Sequence, residues 1–290
     1  MLRIDAHHHL WQYNSTDYGW LNGDLAVLRR DFLPAHIEPE LRRAKVAGTV
    51  AVQARQTVEE TEWLLRLAKT TPFILGVVGW LPLRDPNFPS ILDRYLQYTT
   101  LKGLRHVLQE EPPGFMDDPA FNDGLRTLSS TGHVYDLLIT ESQLQESTLL
   151  VDRHPHQQFV LDHLAKPRIA AQELQPWASR LRELARRENV VCKISGMITE
   201  ADPLQWSPDQ LQPYVDTVIE CFTPSRLMAA TDWPVLCAGC TMQRWWDLLE
   251  LWISHLSSDE QADVMGRTAI RTYNLTPPSP TDMKVPEGPA

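Results

Sequence analysis

The chain has 290 residues, 43% of them hydrophobic and 22% charged, the proportions of a globular protein long enough to bury a sizeable core. A formal net charge of -10 with no Lys/Arg run speaks against nucleic acid or an anionic membrane as partner. No apolar stretch reaches the roughly 18 residues that span a bilayer, and no leader-like pattern opens the chain, so a cytoplasmic protein with its four cysteines reduced is expected.

The first stretch, Leu2 to Trp11, is apolar and then runs through Asp5-Ala6-His7-His8-His9, which reads as a strand ending in a polar site. Strand side chains alternate faces, so His7 and His9 should point one way and His8 the other. Two converging imidazoles can ligate a divalent metal or, one being protonated, polarise a carbonyl. A tag remnant or a pair packed under a loop is the bland alternative. Three histidines is short for a tag, and a tag leaves Asp5 and Trp11 unexplained.

Gln12 to Phe32 is a long, aperiodic, aromatic stretch, expected to form a lid or wall over the histidines. An alternation follows: a short helix from Pro39 to Val46, begun by proline in its first turn, a buried strand at Gly48–Gln53, and a helix opened by the box Thr57-Val58-Glu59-Glu60. Strands at Phe73–Gly79, Leu101–Arg105, Val134–Ile139, Phe159–Asp162, Val190–Ile194 and Arg226–Thr231 are separated by further helices, those at Ser90–Gln97, Asp118 to Gly132, from Thr140, Pro176–Arg187 and from Ser207. Helices near Met242–Ser254 and Ser258–Tyr273 complete the series. Eight apolar strands separated by amphipathic helices predict a parallel (β/α)8 TIM barrel, an α/β fold with its active site at the C-terminal strand ends. An open doubly wound sheet is the rival, but no glycine-rich dinucleotide loop follows any strand. The expected organisation is one barrel domain over residues 1–275 and a Pro-rich flexible tail over 276–290.

At the strand ends stand His7 and His9, Gln53 and Arg55, Trp80, Arg105 and His106, Tyr135 or Asp136, His163, Lys193 and Ser195, and Asp232. One histidine at a strand end is usually structural; a whole rim of them points to chemistry. Cys237 and Cys240 could be a redox dithiol or half a zinc site, but no second pair accompanies them, so free loop thiols are expected.

Asp5-Ala6-His7-His8-His9-Leu10-Trp11, Leu161-Asp162-His163-Leu164-Ala165-Lys166-Pro167, Cys192-Lys193-Ile194-Ser195-Gly196-Met197 and Thr231-Asp232-Trp233-Pro234 together resemble the amidohydrolase superfamily. The match is closest to its lactonase branch, which includes fucono- and rhamnono-lactonases and pyrone dicarboxylate lactonases. The resemblance implies a His-x-His pair (His7, His9), a strand-six histidine (His163) and a strand-eight aspartate (Asp232) that deprotonates the attacking water. These four would also hold a metal, one Zn2+ or Mn2+. Strand five departs from the metal-dependent pattern, with Tyr135, Asp136 and Leu137 where a metal-binding histidine or lysine is usual and His106 as a partial substitute. The site is therefore open to metal-dependent or metal-independent use.

The expected reaction is hydrolysis of a sugar-acid lactone, a small-molecule substrate, with catalysis by Asp232, His163, His7, His9 and His106. Trp11, Gln53, Arg55, Trp80, Arg105, Lys193 and Trp233 are the candidate substrate contacts. Two rim arginines would suit an acidic lactone, whereas tryptophan walls suit a neutral one. Alternatives are a pyrone dicarboxylate lactonase, a zinc-dependent decarboxylase and a non-catalytic barrel; an oligomer stays open.

Overall fold

The structure, a computed structural model, describes residues 1–277, so the tail reading falls almost wholly outside it. Eight strands, β1 (Arg3–His8), β2 (Val46–Val52), β3 (Ile74–Gly79), β4 (Leu101–His106), β5 (Val134–Leu137), β6 (Phe159–Leu161), β7 (Val190–Ile194) and β8 (Leu227–Ala229), pair in chain order. Every neighbouring pair is parallel. A parallel bridge between His8 and Trp233 brings the last strand's end back to the first. The predicted (β/α)8 barrel is what forms.

The helices are α1 (Pro34–Arg43), α2 (Val58–Thr70), α3 (Phe88–Asp93), α4 (Pro119–Ser129), α5 (Leu144–Arg153), α6 (Trp177–Ala185), α7 (Met197–Glu200), α8 (Pro208–Phe222), α9 (Met242–Trp252), α10 (Ser258–Ala262) and α11 (Thr268–Thr272). Thr57, Asp118, Ser207 and Thr241 cap their helices as side-chain acceptors, which is why these starts are readable from sequence. The expected start of the first helix at Pro39 is corrected to Pro34. Pro34 occupies the first turn, where no N–H is needed, and Ile37 and Leu41 face inward one turn apart, leaving Pro39 inside the helix. At α2 only half of the predicted box forms, because the Glu60 carboxylate accepts from the Arg55 backbone N–H instead of reaching the cap.

Ile4, Ala6, Val50, Val52, Val78, Val134, Val160, Val191 and Met228 fill the barrel interior, and Tyr273 and Leu275 pack onto it. The larger apolar core lies between the strands' outer faces and the helices. In β1 the register slips: Asp5 pairs with Thr49 but His8 with Ala51, so three steps on β1 match two on β2. This extra residue is a bulge. It lets His7 follow Ala6 into the interior, while His8 turns outward onto Thr49 Oγ1 at 2.9 Å.

Among the described residues no helix is long and apolar enough to cross a membrane.

Candidate active site

His7 and His9 leave β1 on one side, as alternation predicts, and their Nε2 atoms are 3.1 Å apart. Asp232 Oδ1 faces both, 3.3 Å from His9 Nε2 and 3.7 Å from His7 Nε2, with His163 Nε2 at 3.9 Å. That oxygen is buried without a hydrogen-bond partner. A buried carboxylate oxygen facing three imidazole nitrogens can accept from a water or a substrate or share an ion with those rings.

Each ring is held from behind. His9 Nδ1 lies 2.8 Å from the Val52 carbonyl and His163 Nδ1 2.8 Å from Ser195 Oγ. Asp5, outward on β1, accepts from the backbone N–H groups of His7 and Thr231 and from the Thr231 hydroxyl, tying β1 to the end of β8.

Below the rings lies a buried charge network. Lys193 Nζ sits 2.5 Å from Asp136 Oδ2, 2.9 Å from Asp162 Oδ1 and 3.1 Å from His7 Nδ1. Arg105 Nη1 donates to Asp162 Oδ2 at 3.0 Å, and the Tyr273 hydroxyl donates to Asp136 at 2.9 Å. Burial penalises a charge on Asp162, but Lys193, His7 and Arg105 outweigh that and hold it well below the usual carboxylate range. Burial, reinforced by Lys193, holds His7 well below the usual imidazole value. His163 is lowered to about 4, chiefly by burial. For Asp232, burial works upward, yet His163, His9 and Lys166 together hold it below the usual value, so it stands ionised at neutral pH.

The chain directly after β6 is strained. His163, Leu164, Ala165 and Lys166 have φ of 51°, 55°, 58° and 49°, four successive left-handed residues with no glycine among them. Each costs about 1–2 kcal/mol. Such strain persists where the surroundings over-determine it. Here the Lys166 N–H donates to the His163 carbonyl at 2.8 Å, and the Trp177 indole donates to the Leu164 carbonyl at 2.7 Å. Gly196, at φ +67°, backs the turn, since a Cβ there would lie 2.6 Å from His163 Cγ. Gly196→Ala is therefore expected to lower stability by about 2 kcal/mol. By pushing the His163 ring aside it should also lower turnover at least about tenfold, seen by denaturant melts and kinetics on one preparation.

Over the rings opens a cavity of about 590 Å3. Its floor carries His9, His163, Arg105 and Asp232, and its wall Arg55, Gln56, Gln109, Glu110, Lys166 and Glu200. The 12–32 stretch is the wall expected of it, contributing Asp17, Trp20 and Leu25 and pinned at its base by an antiparallel Trp11–Phe32 bridge. Arg55 pairs with Asp17, and Lys166 Nζ stands 3.7 Å from Glu200 Oε1, a carboxyl raised by burial.

Of the expected substrate contacts, Arg55 and Arg105 line this cavity and five do not. Lys193 is wholly buried in the network beneath. Trp11 donates to the Arg30 carbonyl and packs on Phe32; Trp233 packs edge-on against the same ring. Gln53 donates to the Arg105 carbonyl, and Trp80 donates to His106 Nδ1. His106 itself is corrected: it follows inward-facing Arg105 on β4, so alternation turns it away from the rings, where Glu111 Oε1 meets its Nε2 at 2.6 Å and Phe115 stacks on it. The reading from sequence missed Asp162, Lys166 and Glu200. The first two lie in the quoted strand-six motif, but the left-handed turn that aims Lys166 has no sequence signal without glycine.

All four cysteines are free; Cys237 is exposed, and burial pushes the Cys240 thiol up to about 11.

The donors suit a divalent ion. His7, His9 and Asp232 offer two nitrogens and one oxygen all within 4.8 Å of one another, with the unpartnered Asp232 oxygen among them. Three protein ligands with an open position is the pattern of catalytic zinc.

A family profile described as amidohydrolase matches residues 4–275. The chain is 37% identical over 299 residues to the L-fucono-1,5-lactonase of Burkholderia multivorans, spanning 98% of this chain and 99% of that one. It is 24% identical over 203 residues to the L-rhamnono-gamma-lactonase of Scheffersomyces stipitis, spanning 62% and 60%. A crystal structure of an amidohydrolase from Burkholderia multivorans with bound Zn superposes with a TM-score of 0.91 at 38% identity, covering 95% of this chain and 100% of that one. With its profile match running from the first strand to the last helix, this chain belongs to the amidohydrolase family.

Proposed function

We propose that the protein is a hydrolase that opens the ring ester of a neutral sugar-acid lactone, such as a fucono- or rhamnono-lactone, to the free acid. The observation that carries this reading is Asp232 Oδ1, buried, unpartnered and faced by three imidazole Nε2 atoms at the floor of a cavity large enough for one sugar ring. The relatives named as fucono- and rhamnono-lactonases support the same class.

Asp232 accepts a proton from water as the water oxygen attacks the lactone carbonyl carbon. The carbonyl π pair moves onto oxygen, and the imidazoles of His7, His9 and His163 are the groups placed to face the developing charge. Collapse re-forms the carbonyl and breaks the ring C–O bond. The departing alkoxide takes the proton back from Asp232, leaving a hydroxy acid and the starting carboxylate. His7, His9 and Asp232 are the residues that would hold a divalent ion, with His163 beside them; when bound, such an ion supplies Lewis-acid polarisation of the carbonyl.

Charge supports the neutral substrate. Arg55 is paired with Asp17 and Arg105 with Asp162, so both guanidiniums at the cavity are already partly neutralised by a carboxylate of the protein. Gln56, Gln109, Glu110 and Glu200 on the wall suit sugar hydroxyls, and Trp20 gives a ring an apolar face. The test is a panel of aldonolactones with a pyrone dicarboxylate lactone included, followed by pH-indicator absorbance before and after exhaustive chelation, with metal content assayed in parallel. Turnover of neutral aldonolactones with kcat/KM at least about tenfold above the dicarboxylate is expected, the margin of one lost charged contact. Preference for the dicarboxylate, or silence on the whole panel, would overturn the reading.

A further inference from the structure

We propose that Lys166 and Glu200 form a specificity-determining clamp for one hydroxyl of the lactone, that on the ring carbon next to the carbonyl, with Lys166 donating to its oxygen and Glu200 accepting its proton. The clamp rests on the lactonase reading and gives it a substrate feature to recognise. Both side chains line the cavity, each 24% exposed. They come from different strand ends, Lys166 from the turn after β6 and Glu200 from the last position of α7, which follows β7.

The pair is held slightly apart. Lys166 Nζ stands 3.7 Å from Glu200 Oε1, beyond hydrogen-bond length, so the ammonium keeps protons and the carboxylate keeps lone pairs for a third group. The two guanidiniums of the cavity differ: Arg55 bonds Asp17, and Arg105 Nη1 donates to Asp162 Oδ2 at 3.0 Å. A hydroxyl gives one proton and accepts at its oxygen, so a donor beside an acceptor matches it at both ends. A carboxylate does not match, because Glu200 repels what Lys166 attracts. Burial raises Glu200 above its ordinary value while Lys166 pulls it down, the mark of a carboxyl poorly served by water. Polar groups in such a place reject an analogue that lacks the hydroxyl, since they are then left without a partner.

The backbone decides which hydroxyl is read. Lys166 follows His163 by three residues through the left-handed turn, and its N–H donates to the His163 carbonyl at 2.8 Å, so the wall cation and the floor imidazole belong to one unit. Glu200 is tied to the same segment, its carbonyl accepting from the Ala170 N–H at 2.9 Å. The Lys166 charge is felt at the floor: burial is the main cause that lowers His163, with Lys166 adding to it, and against burial Lys166 joins His163 and His9 in holding Asp232 down. With the lactone carbonyl placed between Asp232 and the imidazoles, the substituent that comes first to Lys166 is the one on the adjacent ring carbon. The strained turn thus has a use in the fold, aiming His163 at the reacting carbonyl and Lys166 at its neighbour.

The test compares a neutral aldonolactone with its 2-deoxy counterpart on the full chain, each rate divided by the spontaneous hydrolysis rate of that lactone, because a 2-hydroxyl also activates the carbonyl. The wild type should favour the hydroxylated lactone by at least about tenfold in kcat/KM, the scale of a hydrogen bond to a charged group. In Lys166→Met that ratio should fall to within about threefold of one, as expected when the contact that separates the two lactones is removed. Lys166→Met with Glu200→Leu replaces the whole pair by apolar side chains and should give the same collapse, which covers a single variant destabilised by its unpaired carboxylate. A wild type that turns over both lactones equally overturns the clamp and leaves the lactonase reading standing. Folded variants slowed on both lactones by one factor, with the ratio kept, also overturn it, since a structural role moves both alike. Silence of the wild type on every lactone overturns the lactonase reading and the clamp with it.

Discussion

Asp232→Asn is expected to lower kcat for lactone hydrolysis by about 10²–10⁴-fold, the contribution of a positioned acid–base group, with KM and Tm little changed. Asparagine keeps the shape of the side chain and tolerates the left-handed backbone that Asp232 adopts at φ 59°, so the fold has no reason to shift. What is lost is the one oxygen that faces all three imidazoles and can take a proton from water. Steady-state kinetics beside a thermal melt separate the two effects. A folded Asn variant within tenfold of the wild-type kcat would remove Asp232 from the base role and leave the barrel without an identified one.

Lys193→Met should be the most destabilising single substitution at the floor of the barrel. It keeps most of the side-chain volume but withdraws the ammonium from Asp136 and Asp162, both wholly buried. Breaking a buried ion pair from one side costs about 3–5 kcal/mol, because the remaining charge has no water to turn to. In a barrel of this size that lowers Tm by about 10 °C, at about 2–4 °C per kcal/mol. The pH dependence has a definite sign. Burial already raises Asp136 above its ordinary value, and losing Lys193 raises it further. A carboxyl whose folded value is raised adds stability below its unfolded value and loses it as pH rises through the folded one. The deficit should therefore be larger at pH 8 than at pH 5, measured by urea melts at both. An equal deficit at the two values would mean the loss is packing and not charge. Asp136→Asn added to Lys193→Met should recover much of the stability, since the amide oxygen it introduces can still accept from the Tyr273 hydroxyl that now bonds the carboxylate.

Much of this molecule was legible along the chain, for reasons specific to each residue. The strand–helix alternation is visible because strands buried on both faces are continuous apolar runs, and helices that begin at Thr57, Asp118, Ser207 and Thr241 carry their caps in the sequence. The barrel rule then assigns a dozen strand-end residues to the active-site rim, and the resemblance to the amidohydrolases picks His7, His9, His163 and Asp232 out of them without a coordinate. The first helix shows the limit: with prolines at both Pro34 and Pro39, only burial of Ile37 and Leu41 tells which one sits in the first turn.

The sequence by itself determined the fold class, through short-range rules of periodicity and alternation, and its motifs named Asp232 and the three histidines now grouped around its Oδ1. Tertiary structure alone decided which polar strand-end residues reach the cavity. Arg105 and His106 are adjacent in sequence, and partners from the ends of other strands fix which one enters: Asp162 takes Arg105 inward, while the Trp80 indole donates to His106. Lys193 looks like a rim cation until Asp136 and Asp162, brought beside it from β5 and the end of β6, capture its ammonium. The bulge in β1 is a matter of register between strands far apart along the chain, and the left-handed turn from His163 to Lys166 exists because Gly196 leaves room and Trp177 holds the Leu164 carbonyl. Each of these depends on a partner distant in sequence, and a residue's own chemistry cannot specify which partner the closed barrel will bring.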